Sequence, residues 1–266
     1  MSLEVVQVDA FTDRAFTGNP AAVFILDGGE LPPDWRLQEI AREMNLSESA
    51  FAVRHDDGFD LRWFTPAVEV DLCGHATLAT AHVLWQDGHL PPEAPAIFHT
   101  RSGILTAVRD GEWIELDFPA DPVEAIDPPQ HLDRALGAPI VRVGRARYDL
   151  LVEIPSEKEV RTIHPNHTLL ASFDARGVIV TSPSVGKHFD FVSRFFAPRV
   201  GIVEDPVTGS AHCTLASYWS RRLGREQLVG YQVSERGGTV RVTVLPNERV
   251  RLAGQAVTVM RGTVLF

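Results

Sequence analysis

Two cysteines in 266 residues, Cys73 and Cys213, are too few for a disulfide framework and have no CxxC metal-pair spacing. Each is either a small buried hydrophobe or a reactive thiol. No window of about 18 apolar residues is present to span a bilayer. The first residues, Met1-Ser2-Leu3-Glu4-Val5-Val6, lack the basic flank and apolar run of a secretory signal, so the expected location is cytoplasmic. Basic residues are outnumbered, 25 Lys and Arg against 35 Asp and Glu, for a net charge of −10 and a pI near 5.4. That balance argues against a nucleic-acid partner, which needs a basic face. The ten histidines show no His-Glu-x-x-His or paired ligand spacing, and no Walker or dinucleotide glycine loop occurs. The sequence therefore predicts no metal and no cofactor, which leaves proton chemistry for its polar groups.

With 44% hydrophobic residues, the chain suffices for one large domain or two of ordinary size. Two stretches organise it: Asp71-Leu72-Cys73-Gly74-His75-Ala76-Thr77-Leu78-Ala79, and Glu204-Asp205-Pro206-Val207-Thr208-Gly209-Ser210-Ala211-His212. Each couples polar residues to a glycine and then enters an Ala/Leu-rich segment that reads as a buried helix. The first four N–H groups of a helix have no partner inside it, so a glycine there opens the terminus to an anion. Two such termini predict a cleft for a small anionic ligand.

Residues 5–11 have the β-branched content of a strand, with a turn at 12–14. Gly18-Asn19-Pro20 then makes a tight turn, in which Asn19 either only turns the chain or offers its amide to a ligand. Trp35, Leu37, Ile40, Ala41 and Met44 lie at helical spacing over residues 34–45, with Asp34 as N-cap. Glu48 stands between two serines with apolar residues on both sides. Partial burial there would raise its pKa toward the range useful for proton transfer, whereas an ordinary glutamate is exposed. Residues 60–66 read as a strand, 76–85 as a helix buried on most sides, and three runs between 97 and 118 as an antiparallel meander. The proline-rich, acidic stretch 119–129 is the best linker candidate. Beyond it come short helices near 131–136 and 169–171, and strands near 140–143, 149–154, 177–181, 239–244 and 256–259.

An internal repeat is legible. Phe59-Asp60, Phe64-Thr65-Pro66 and Gly74-His75 parallel Phe189-Asp190, Phe196-Ala197-Pro198 and Gly209-Ser210, at offsets of 130, 132 and 135. A competing alignment pairs His75 with His212, but helix-start geometry depends on the glycine, which favours the first. The predicted fold is α/β (α+β), with two pseudo-symmetric halves, residues 1–120 and 121–266. Each half is a mostly antiparallel sheet wrapped around a central helix, and the last strand is free to return to the first half.

Four motifs in order, Phe16-Thr17-Gly18-Asn19-Pro20-Ala21-Ala22-Val23, Asn45-Leu46-Ser47-Glu48-Ser49-Ala50-Phe51, Cys73-Gly74-His75-Ala76-Thr77-Leu78 and Glu204-Asp205-Pro206-Val207-Thr208-Gly209-Ser210-Ala211, resemble the signatures of the phenazine-biosynthesis PhzF family over nearly the whole chain. The resemblance implies a diaminopimelate-epimerase-like fold, a homodimer, and an isomerase that works without cofactor. It implies Glu48 as the general acid/base that moves a proton in trans-2,3-dihydro-3-hydroxyanthranilate, with His75 and Asp205 polarising or relaying. Asn19, Cys73, Gly74, Thr208, Gly209 and Ser210 would then bind the substrate and its carboxylate. Cys73-Gly74-His75 also resembles the first thiol motif of proline racemases and hydroxyproline epimerases. Thr208 stands where their second thiol belongs, a pairing similar to hydroxyproline dehydratases, so a lyase using Cys73 is the alternative. The remaining alternative is a small-molecule binding protein without catalysis.

Overall fold

The computed structural model describes residues 2–26 and 29–266. Contacts divide the chain into two units, residues 1–117 with 253–266, and residues 118–252. The first unit begins with β1 (Ser2–Ala10), β2 (Asn19–Leu26), α1 (Asp34–Met44), β3 (Glu48–His55) and β4 (Gly58–Phe64). It continues through β5 (Glu69–Val70), α2 (Gly74–Gln86), β6 (Ala96–Thr100), β7 (Gly103–Asp110) and β8 (Trp113–Pro119). The second unit opens with β9 (Glu124–Ala125), α3 (Leu132–Leu136), β10 (Arg142–Arg145), β11 (Leu150–Glu153), α4 (Glu157–Thr162) and α5 (His167–Leu170). Then follow β12 (Val178–Pro183), β13 (Phe191–Ala197), β14 (Ile202–Asp205), α6 (Gly209–Leu223), β15 (Gln227–Gln232), β16 (Gly238–Leu245) and β17 (Arg249–Gly254). The last strand, β18 (Ala256–Leu265), pairs antiparallel with β1.

The two units follow one scheme of pairing. In the first, β1–β2 is antiparallel, β2–β3 parallel, β3–β4 and β4–β5 antiparallel, β4–β6 parallel and β6–β7 antiparallel. In the second, β10–β11, β11–β12, β12–β13, β13–β14, β13–β15 and β15–β16 repeat that order of directions. Side chains echo it too. Arg62 grips Glu69 with two bonds of 2.7 Å, and Arg194 grips Glu204 with bonds of 2.7 and 2.8 Å. These pairs are related by the sequence offsets of 132 and 135, and each ties a strand to the segment leading into a central helix.

Strand alternation decides what faces each helix. In the first unit Ala22, Phe24, Phe51 and Phe64 pack with Leu37, Ile40 and Ala41 of α1. Phe24 and Phe51 stack at 4.7 Å between ring centres, and Phe64 meets Phe51 edge-on at 5.7 Å. Each such ring contributes roughly 1.5–3 kcal/mol by leaving water. The opposite face of the same strands carries Ala21, Val23, Ala50 and Ala52, small residues that admit α2 closely. Helix α2 is buried from His75 to Ala81 and again at Val83 to Trp85, as its Ala/Leu content predicts. In the second unit Val152, Ile154, Val178, Val180, Val192 and Phe196 join Leu132, Leu136 and Val160 in one cluster.

Two expectations are corrected. Asp34 is the first residue of α1 and caps nothing; its carboxylate accepts from Arg62 at 2.8 Å, and Pro33 takes the cap position. Helix α2 starts at Gly74, two residues before the predicted Ala76. The stretch 119–129 is anchored within its unit, since Asp121 accepts from the Arg147 backbone N–H at 3.0 Å and from the Thr214 hydroxyl at 2.9 Å. Among the described residues no helix is long and apolar enough to cross a membrane.

Candidate active site

In the first unit, backbone register assembles a polar cluster. Phe51 faces α1, so Glu48, three residues earlier, faces α2. The same parity from Ala22 and Phe24 turns Asn19 toward α2, and the β2–β3 register sets Ala21 opposite Glu48. Gly18 makes this entry possible. Its φ is +69°, and a Cβ there would lie 2.2 Å from the Ala10 carbonyl oxygen. Helix α2 supplies the other members: Cys73 holds the N-cap position in extended conformation, Gly74 starts the helix and His75 follows.

His75 is the hub. Its Nε2 stands 3.0 Å from Glu48 Oε2, its Nδ1 3.3 Å from Asn19 Nδ2 and 3.6 Å from Cys73 Sγ. Its side chain is 6% exposed and that of Glu48 15%, so the pair is shielded yet reachable from one side. The Glu48 and His75 atoms face each other without the alignment of a hydrogen bond, which leaves both able to turn to a third group. Burial pulls the His75 pKa down, but the Cys73 sulfur and the Glu48 carboxylate outweigh it and hold the imidazole well above its ordinary 6.5. Burial, reinforced by the Glu48 charge, pushes the Cys73 thiol up. The thiol is therefore held protonated, and the Glu48 charge is the cause that acts on His75 at neutral pH. The Asn19 amide suits either state of the ring: its N–H₂ serves a bare Nδ1, and its oxygen serves an Nδ1–H once the amide turns. Asn19 is thus a buried partner of His75, where the sequence offers it either as a turn residue or as an amide for the substrate.

The second unit builds a comparable helix start. Thr208 occupies the N-cap position of α6 and Gly209 its first turn, as Cys73 and Gly74 do in α2. The Thr208 hydroxyl donates to Asp205 Oδ2 at 2.6 Å rather than capping the helix. Gln232 clamps the loop: its Nε2 donates to the Asp205 carbonyl at 2.7 Å and its Oε1 accepts from Thr208 N–H at 3.0 Å. Ser210 Oγ accepts from Arg176 Nη2 at 2.9 Å, and Arg176 forks onto the buried carboxylate of Asp149. Burial opposes the Arg176 charge, and Asp149 outweighs it, so the guanidinium pKa is raised. His212 lies beneath with Nδ1 2.8 Å from the Thr208 carbonyl, and burial pulls its pKa down to about 4. It is a neutral packing residue in this fold, against Phe191. The sequence singles out neither Gln232 nor the Asp149–Arg176 pair. They reach the helix start from 24 and 34 residues away, so no local pattern marks them.

Among the described residues two sets of side chains have the spacing to hold a metal ion, although the sequence shows no ligand motif. Glu48, Cys73 and His75 each offer an atom within 4.8 Å of the others, and so do His55, Asp57 and His99. In the first set the protonated thiol works against ligation, which needs the thiolate.

The sequence profile described as phenazine biosynthesis-like protein matches residues 8–262. An uncharacterized isomerase of Halalkalibacterium halodurans is 51% identical over 267 residues, covering 100% of both chains. The crystal structure of a PhzF-family phenazine biosynthesis protein of Enterococcus faecalis superposes with a TM-score of 0.94 at 42% identity, again over 100% of each chain. A probable proline racemase of Agrobacterium radiobacter shares the fold, with a TM-score of 0.66 at 12% identity over 99% of this chain and 93% of its own.

Proposed function

The chain belongs to the phenazine biosynthesis-like protein family and, like the bacterial relatives named uncharacterized isomerases, is an isomerase; from that premise we propose that it moves a proton within a small carboxylate-bearing molecule, with Glu48 as general acid and base. The observation that carries this reading is the 3.0 Å approach of Glu48 to His75, both side chains largely withdrawn from solvent at the start of α2. A carboxylate takes a proton from one carbon and returns it to another in the same substrate, so the reaction consumes no electrons and requires no cofactor. His75, its pKa raised beside that carboxylate, stabilises the charged form of Glu48 before the first transfer and after the second, and polarises the substrate oxygen that gains charge. Asp205 is the second polarising group in this proposal. Gly74, Gly209 and Ser210 bind the substrate carboxylate through helix-start N–H groups, which neither Cys73 nor Thr208 caps with its side chain, and through the Ser210 hydroxyl; Thr208, whose own donors go to Asp205 and Gln232, shapes that end of the substrate site. Asn19 and Cys73 set the His75 ring.

The substrate proposed first is trans-2,3-dihydro-3-hydroxyanthranilate, with homodimeric assembly and cytoplasmic location as parts of the same proposal. Proton NMR in D₂O with this compound, on wild type and Glu48→Gln, tests it. Isomerisation with solvent exchange that disappears in the variant supports the glutamate mechanism; conversion that persists in the variant removes Glu48 from the chemistry.

One observation favours a second reading, a lyase or epimerase based on Cys73: the thiol lies 3.6 Å from a histidine nitrogen, as a nucleophile and its base would. Against both stands the raised thiol pKa, and against the epimerase alone a threonine, Thr208, in place of a second thiol. Proline and hydroxyproline in the same NMR experiment read this alternative directly.

A further inference from the structure

The second ligand-type cluster lies outside the Glu48–His75 pair and takes no part in the proposed chemistry. His55 is the last residue of β3, Asp57 sits in the turn to β4, and His99 lies on β6. The sheet fixes them: His55 pairs with Gly58 across the hairpin, and Asp60 pairs with His99 in the parallel β4–β6 register. Gly58 lets the hairpin close on β6, because a Cβ there would meet the Ile97 carbonyl oxygen at 2.4 Å. Asp57 Oδ1 is shared by both rings, 2.8 Å from His99 Nε2 and 3.2 Å from His55 Nδ1, and the ring centres are 4.4 Å apart.

We propose that His55, Asp57 and His99 form a zinc-binding site that staples the β3–β4 hairpin to β6, with water as the fourth ligand. Two imidazole nitrogens and a carboxylate oxygen are a ligand set suited to Zn²⁺ and unsuited to Mg²⁺ or Ca²⁺. With metal–ligand bonds of about 2.0–2.1 Å, neighbouring ligand atoms of a tetrahedron stand roughly 3.3 Å apart. The observed 2.8 and 3.2 Å need only small side-chain rotations to reach that spacing. Asp57 also supplies a negative charge that offsets part of the cation's. Asp57 and His55 are partly exposed, so the ion has an entry path.

The test is competition of the metal-stripped protein with a chromophoric chelator for Zn²⁺, above the ordinary histidine pKa of about 6.5. Wild type and Cys73→Ser are expected to bind one equivalent with equal affinity, and His55→Gln, His99→Gln and Asp57→Asn to bind at least about tenfold more weakly. Zn²⁺ is expected to raise the melting temperature of wild type and not of His99→Gln. Co²⁺ in its place is expected to give visible tetrahedral bands with no thiolate charge-transfer band. Three results overturn the proposal: no zinc uptake by wild type, equal uptake by the histidine variants, or a charge-transfer band that Cys73→Ser removes, which would put the ion at Glu48, Cys73 and His75. The three substituted side chains are on the surface, and circular dichroism confirms that each variant is folded before it is counted.

Discussion

Glu48 and His75 meet at 3.0 Å although 27 residues separate them, because a strand parity and a helix start converge on one spot. Neither neighbour alone defines the chemistry. A carboxylate in this place without the histidine would face burial with no counter-charge, and the histidine without the carboxylate would be driven neutral by the same burial.

Replacing Glu48 by glutamine keeps the shape and removes the charge, so burial then dominates at His75. The imidazole is expected to titrate well above 6.5 in wild type and to fall markedly in Glu48→Gln. Histidine-selective NMR reads both midpoints. A wild-type value at or below the ordinary one contradicts the electrostatics described above.

Stability follows the same ionisation. A folded-state pKa raised above the unfolded value means that the fold favours the protonated ring. That contribution is fully present below the ordinary 6.5 and is lost as pH rises through the raised folded value. The denaturation midpoint of wild type is therefore expected to decline against that of His75→Gln on the alkaline side of 6.5. A difference that stays flat with pH refutes it.

His212 has the opposite sign. Its pKa is depressed by burial, so the fold favours the neutral ring, and stability drops as pH falls from 6.5 toward about 4. The loss attributable to this one ring is on the order of 3 kcal/mol. In His212→Gln, whose amide still reaches the Thr208 carbonyl, urea titrations across that range are expected to show a shallower acid limb.

Much of this arrangement is legible in the sequence, and the limits have physical causes. Helix α2 announces itself through its Ala/Leu run, and glycine marks both helix starts, since Gly74 and Gly209 each open a helix as the glycine alignment requires. The cap of α1 is misread because an aspartate after Pro32-Pro33 satisfies the local pattern, while Arg62 across the sheet competes for its carboxylate. Short α4 is missed for want of a full apolar stripe; only Val160 is buried, and the helix rests on its Ser156 cap. The Arg62–Glu69 and Arg194–Glu204 pairs, the Gln232 clamp and the His55–Asp57–His99 cluster depend on strand register, which a sequence reveals only after the pairing is known.

Gly18 is expected to tolerate no side chain. Gly18→Ala places a Cβ 2.2 Å from the Ala10 carbonyl in a backbone with φ +69°, at a cost of roughly 1–3 kcal/mol for the strain and more for the clash. Gly88→Ala is the control: it has φ +76° and nothing within 4 Å of its Cβ, so it shares the strain without the collision. Thermal unfolding should rank Gly18→Ala well below Gly88→Ala. Because Asn19 follows directly, Gly18→Ala is also expected to raise KM more than Gly88→Ala does.

Cys73 discriminates between the two chemistries. Burial holds its thiol protonated, and alkylation proceeds through the thiolate, so native Cys73 is expected to react with iodoacetamide far more slowly than the unfolded chain. If Glu48 moves the proton, Cys73→Ala retains turnover within about tenfold, because the residue only positions His75, whereas Glu48→Gln loses about 10²–10⁴-fold. If the thiol is the base, the ranking reverses, and a fast alkylation that abolishes turnover accompanies it. Measuring both rates on one preparation separates these cases, since slow alkylation with retained Cys73→Ala activity is compatible only with the carboxylate.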